Sequence, residues 1–233
     1  MIAVVSSTIQ PSIKDPRVIN RYTYKERLNQ TIETVDKLVD SGFRAIFLVD
    51  NSPELDTPRL KEILNGFPLV QPFHIRQFQF GNKGINELLM LLFLTDFLPQ
   101  NETIFKISGR YYPITGFVKP EFQDFACKGY QFTNKNGIIS TRGYWVKNSA
   151  IYQQFLMACL EEVFAYPERI VGPRSVMRVF FKKMRDSDHR FGISIEFAAA
   201  NVLKSAAFDV TFVTQLGIEG LVAGSNYEEI IRE

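Results

Sequence analysis

Four short blocks in this chain of 233 residues have the side-chain types and spacing to do chemistry. Asp50-Asn51-Ser52-Pro53 sets a carboxylate and two further polar side chains ahead of a proline. Asn82-Lys83-Gly84 precedes an apolar run, where a helix N-terminus can face a phosphate. Lys106-Ile107-Ser108-Gly109-Arg110-Tyr111-Tyr112 offers a guanidinium, whose planar fork of N–H groups suits phosphate oxygens, together with hydroxyl donors. Glu196, at the polar-to-apolar switch Ser194-Ile195-Glu196-Phe197, is a carboxylate at a helix start and a candidate general base. Each block also has a purely structural reading. Asp50 can cap a turn, Gly84 can belong to a simple N-cap turn, Arg110 can pair with Glu121 or Asp124, and Glu196 can answer the helix dipole.

Many familiar chemistries lack their residues. No Gly-x-Gly-x-x-Gly follows the first apolar run and no Gly-x-x-x-x-Gly-Lys-Ser/Thr loop occurs, which removes dehydrogenase and P-loop readings. His74 and His189 are the only histidines, and Cys127 and Cys159 are too far apart in sequence for a zinc motif. Without a Gly-x-Ser-x-Gly elbow there is no serine nucleophile of the hydrolase kind. One acidic turn, Asp186-Ser187-Asp188, is the alternative divalent-metal site, although acidic turns after helices are commonplace.

Lys and Arg number 27 against 25 Asp and Glu, a balance that excludes the broad positive field of a nucleic-acid binder. A local basic stripe, Arg174, Arg178, Lys182 and Arg185, reads as a solvated helix face or as a surface for an anionic acceptor or a membrane. Two thiols in a chain this large need no disulfide, so a reducing, cytoplasmic setting is expected. The apolar start 2–5 has no basic segment or cleavage site and reads as a strand. Residues 85–98 are too short to span a bilayer and carry Asn86, Glu87, Thr95 and Asp96, so they read as a core helix.

These blocks must be positioned by an alternation of elements. Strand-like runs at 2–5, 44–50, 69–75 and 103–107 are separated by segments of helical spacing, the pattern of an α/β fold with a mostly parallel sheet. Leu28, Ile32, Val35 and Val39 mark a first helix that stops at Ser41-Gly42. Thr57-Pro58 reads as an N-cap and first helical residue, with Gly66 closing the helix. Glycine and aromatic residues crowd 129–145, suggesting short strands that wall a cleft; Arg142 lies among them as a further substrate contact. Helical spacing returns at 149–164, 173–185 and 195–205, a last strand at 208–213, and a Gly-rich tail at 216–220. No linker or repeat divides the chain, so one domain, 1–233, is expected, with a nucleotide-binding half at 1–115 and an acceptor-side half at 116–233.

In order, Val5-Ser6-Ser7-Thr8, Phe47-Leu48-Val49-Asp50-Asn51-Ser52, Asn82-Lys83-Gly84-Ile85-Asn86-Glu87 and Ile104-Phe105-Lys106-Ile107-Ser108-Gly109-Arg110-Tyr111 resemble the GT-A glycosyltransferases, especially the large inverting family that makes polysaccharides. The resemblance covers about residues 1–115 and implies a three-layer α/β/α sandwich that takes a nucleotide-sugar donor and a glycan or lipid-linked acceptor. It implies nucleoside contact at Thr8 and Asp50 and a catalytic carboxylate before a second-half helix, here Glu196; Gly84 opens its helix toward a diphosphate, and Asn51, Lys83, Lys106 and Ser108 are further expected substrate contacts. Ser108-Gly109-Arg110 departs from the family by standing where an Asp-x-Asp would hold the metal. Arg110, Tyr111 and Tyr112 are then expected to stabilise the leaving diphosphate without a metal cofactor. A nucleotidyltransferase reading lacks its glycine-rich loop after the first strand, and a non-catalytic GT-A-like module that binds a glycan or a protein fits the missing dyad equally well.

Overall fold

The structure, a computed structural model, describes residues 1–10, 22–75, 83–130, 138–165, 193–205, 207–221 and 230–233. Asn82, Asp186, Asp188, His189 and the basic stretch expected at 173–185 lie outside them.

The first apolar run and the two serines after it form β1 (Ile2–Ser7), buried along its whole length. A strand covered on both faces must be apolar on both, which is why no alternation shows in its sequence. It pairs in parallel with β2 (Ile46–Asp50) on one side and β4 (Ile104–Ser108) on the other, and β3 (Val70–His74) lies parallel outside β2. The sheet continues through β7 (Ile138–Val146) and β6 (Phe125–Tyr130), both in antiparallel pairings, to β8 (Val210–Val213), giving the order β3-β2-β1-β4-β7-β6-β8.

Helices cover both faces. On one side α3 (Lys83–Thr95), α4 (Ser149–Ala165) and α5 (Ile195–Lys204) pack over Val4, Phe47, Ile104 and Phe125. On the other, α1 (Tyr24–Asp40) buries Val35 and Leu38 against Ala3, Val5, Phe105 and Trp145. A capping box starts α1, with Thr23 and Glu26 satisfying each other's backbone N–H groups. The short α2 (Thr57–Ile63) is capped by Asp56 rather than by the expected Thr57, because the Asp56 carboxylate reaches the N–H of Arg59 at 2.8 Å.

The Gly-rich segment read as a tail is instead β9 (Ile218–Leu221). With β5 (Tyr111–Pro113) and β10 (Ile230–Arg232) it forms a second, three-stranded antiparallel sheet in the order β10-β9-β5. Glycine at position 220 permits that closure: a Cβ there would strike the carbonyl oxygen of Arg110 and lie 2.8 Å from Tyr111 Cα.

One irregularity in the large sheet re-aims side chains. Between the pairs Cys127–Tyr144 and Gly129–Ile139, five steps along β7 oppose two along β6, so β7 bulges over 140–143. An odd excess reverses facing. Tyr144 and Ile139 both join the core beneath α3, α4 and α5, while Ser140 and Arg142 turn to the small sheet.

Candidate functional site

Strand order reverses between β1 and β4, the switch point where loops diverge and leave a crevice at the carboxyl ends. A carboxylate stands there that the motif search did not select. Glu87, in the second turn of α3, accepts from Ser6 Oγ of β1 at 2.9 Å and from Lys106 Nζ of β4 at 2.7 Å, both on Oε1. Lys106 is 1% exposed and Glu87 29%. Burial would raise the Glu87 carboxyl, but the charges and hydrogen bonds of Lys106, Ser6 and Arg110 outweigh it and hold the group below its ordinary range. Lys106 is therefore spent inside the protein and is not the direct substrate contact expected from sequence.

Lys106 also donates to the Thr141 carbonyl at 2.6 Å, tying the β7 bulge to the switch point. The bulge points Thr141 toward α5, where its hydroxyl lies 3.5 Å from Glu196 Oε1. Glu196 is partly exposed in the first turn of α5, a helix capped by Ser194. A residue from the far half of the chain thus joins the same edge through Glu87, Lys106 and Thr141.

Arg110 follows a tight turn in which Gly109 N donates to the Ser6 carbonyl at 2.8 Å and Arg110 N to the Ser108 carbonyl at 2.7 Å. Thr31 of α1 holds the turn by donating to the Gly109 carbonyl at 3.2 Å. Arg110 makes no ion pair among the described residues; of the acids considered for it, Asp124 instead meets Lys147 at 3.7 Å. One helical turn before Thr31, Arg27 donates from Nη1 to the Thr8 carbonyl at 3.1 Å. The Arg27 guanidinium lies below its ordinary value, first through burial and then through the positive charge of Arg110. Sequence reading missed Arg27, although Arg27, Thr31 and Thr34 recur at spacings of four and three along the side of α1 on which Thr31 and Thr34 are buried, and a polar stripe at that spacing is a usable signal.

The loop expected to read a nucleoside is locked. Thr8 Oγ1 donates to Asn51 Oδ1 at 2.6 Å, Ile9 N to Asp50 Oδ2 at 2.8 Å and Gln10 N to Ser52 Oγ at 2.7 Å. Asp50 Oδ1 also accepts from Ser52 N at 2.8 Å, and Asp50 has no exposed surface. Asp50 and Asn51 therefore fasten two loops together, and neither carboxylate oxygen is presented to a ligand. His74 closes the same knot, its Nε2 lying 2.7 Å from the Ser52 carbonyl.

Tyr111 is buried in the core beneath α1, and the Tyr112 hydroxyl donates to Glu219 at 3.0 Å, so neither offers the phosphate donor anticipated for it. Burial, then Glu219, pushes the Tyr112 hydroxyl up to about 12. Arg142 pairs with the buried Glu233 and stacks over the Tyr111 ring, a structural clamp in place of a substrate contact. Lys83 is exposed at the start of α3 with Gly84 behind it, and Ser108 is partly exposed at the tip of β4. A groove of about 500 Å³ between α2 and β3 shares none of these residues.

Hard divalent cations take carboxylate and carbonyl oxygens, and a hydroxyl, a glycine and a guanidinium at the end of β4 do not fit one. Among the described residues no three His, Cys, Asp or Glu side chains converge as metal ligands. Cys127 and Cys159 are buried free thiols, and no described helix is long and apolar enough to cross a membrane.

No protein-family model matches the chain, and no curated protein sequence matches it. Solved structures do. A nucleoside-diphosphate-sugar pyrophosphorylase from Vibrio cholerae RC9 superposes with TM-score 0.50 at 11% identity, covering 97% of this chain and 96% of that one. The galactosyltransferase LgtC, solved with donor and acceptor sugar analogues, gives 0.49 at 6% identity over 94% of this chain and 86% of its own. The CTP:phosphocholine cytidylyltransferase LicC of Streptococcus pneumoniae gives 0.46 at 8%, over 94% and 93%. The likeness lies in the path of the chain, and the three-layer architecture is the GT-A-like one expected from sequence.

Proposed function

We propose that this protein transfers a sugar from a nucleotide-sugar donor to a glycan or lipid-linked acceptor, by direct displacement and without a metal. The observation that carries the reading is that Glu196, from the second half of the chain, is tied through Thr141 and Lys106 to the switch point, where Glu87 feels the charge of Arg110. Glu196 takes the proton of the acceptor hydroxyl; the acceptor oxygen bonds to the anomeric carbon as the bond to the diphosphate breaks. Negative charge grows on the departing diphosphate, and a fixed guanidinium at Arg110 stabilises it. The donor lies across the tips of β1 and β4, with its nucleoside over the locked loops rather than bonded to Asp50.

Glu196→Gln keeps shape and removes proton acceptance. Turnover with a sugar nucleotide and acceptor should fall by about a hundredfold or more while donor affinity, read by calorimetry in EDTA, barely moves. Full transfer by Glu196→Gln would place the base elsewhere. Loss of wild-type donor affinity in EDTA would return attention to Asp186 and Asp188. If no sugar nucleotide binds or turns over, a non-catalytic binding module replaces the enzyme reading.

A further inference from the structure

Arg27 and Arg110, on different elements, lie close enough for the charge of one to act on the other. Thr31 anchors α1 to the Gly109 carbonyl, which sets Arg27, one turn earlier, over the loop after β1 and within electrostatic reach of Arg110. The Arg27 side chain reaches the Thr8 carbonyl with Nη1, while its Nε is shut off from solvent with no hydrogen-bond partner. Arginine has five N–H donors and cannot shed its proton to escape an unfavourable position.

A purely structural arginine would be expected to have its buried donors met and a carboxylate against it. The nearby acids among the described residues are otherwise engaged. Glu26 closes the capping box with Thr23 at the exposed start of α1, Asp50 is fully used by the loop lock, and Glu87 is held by Ser6 and Lys106. Asp50 and Glu87 are felt electrostatically, by Arg27 and from Arg110 respectively, but neither forms an ion pair with these guanidiniums among the described residues.

We propose that Arg27 of α1 and Arg110 after β4 form one anion site that grips both phosphoryl groups of a diphosphate, each arginine presenting its fork to one phosphoryl group. The site deepens the transferase reading, with which it shares Arg110, by adding a second cation that motif comparison does not select. A diphosphate fits better than a single phosphate because two separately anchored forks can each make a bidentate contact without sharing oxygens. Paired cations also replace the charge that a divalent ion would bring to a leaving diphosphate.

The test titrates inorganic pyrophosphate and orthophosphate into the full-length chain in EDTA, for wild type, Arg27→Gln, Arg27→Lys and Arg110→Gln, with circular dichroism to confirm folding. Wild type should bind pyrophosphate more tightly than orthophosphate. Each Gln variant should lose about tenfold or more in pyrophosphate affinity. Arg27→Lys keeps the charge and the packing stem but loses the fork, and should fall between. Undiminished pyrophosphate binding by folded Arg27→Gln or Arg27→Lys would overturn the site and leave Arg27 as a staple to Thr8, as would wild-type binding that does not favour pyrophosphate. If pyrophosphate binds through both arginines while no sugar nucleotide binds or turns over, the anion site stands and the transferase reading falls. If sugar nucleotides bind and turn over with Arg27 irrelevant, the reverse holds.

Discussion

The two polar clusters at the carboxyl edge of the sheet differ in how far they are satisfied. Between β1 and β2, Thr8, Ile9 and Gln10 each donate to a side chain of Asp50, Asn51 or Ser52, and the loops close on themselves. Between β1 and β4, a buried lysine and a half-open carboxylate hold each other, while two arginines make no ion pair among the described residues. Buried polar groups cost several kcal/mol unless paired, so the first cluster has the character of structure, while the second keeps two guanidiniums uncommitted among the described residues, as the proposed anion site requires. Motif resemblance assigns both to substrate; hydrogen-bond bookkeeping separates them.

The sharpest way to break this contrast is Lys106→Met. It leaves Glu87 facing the switch point without its cation, and should cost about 3 kcal/mol of stability in urea unfolding, discounted for the partial exposure of the carboxylate. Wild-type stability in this variant would show that the pair holds nothing together.

Asp50→Ala tests the other cluster and should cost about 2 kcal/mol, because the N–H groups of Ile9 and Ser52 lose their acceptor inside the protein. A selective loss of nucleotide affinity with unchanged stability would restore Asp50 to the ligand.

The smallest effect concerns pH. The folded Glu87 carboxyl lies below its ordinary value of 4.5, since Lys106, Ser6 and Arg110 overcome burial. Its contribution to stability is therefore complete above that value and is lost as pH falls through the lower, folded one. The stability gap between wild type and Glu87→Gln should accordingly be constant near neutrality and shrink below about pH 4.5. A gap that grows on acidification would mean that burial, not Lys106, governs Glu87.

The first half of the fold was legible because its signals are local. Apolar runs became β1 to β4, and the Leu28, Ile32, Val35 and Val39 spacing became α1. Glu196 was found as a carboxylate at an apolar helix start, although its approach to Lys106 through Thr141 depends on strand pairing that no local pattern encodes. Arg27 was overlooked because a charge in an amphipathic helix reads as solvated until Thr31 and Thr34 beside it prove buried. Glu87 registered as an interruption of an apolar run and as the end of a resembling block, without a role of its own, and its meaning lies in Lys106, nineteen residues away on β4. The small sheet was missed because three short strands, one of them glycine-bearing, leave no periodicity long enough to read.

The bulge in β7 makes chain length, not side-chain chemistry, the quantity that decides which wall of the crevice a residue serves. Because the excess over β6 is odd, losing or gaining one residue within 140–143 would exchange two rows at a stroke, sending Thr141 away from Glu196 and bringing Arg142 to the opposite side. A change of two would preserve the assignment. Parity of insertion therefore governs this strand, and a relative differing there by a single residue would turn a different set of positions toward the crevice while keeping the same fold.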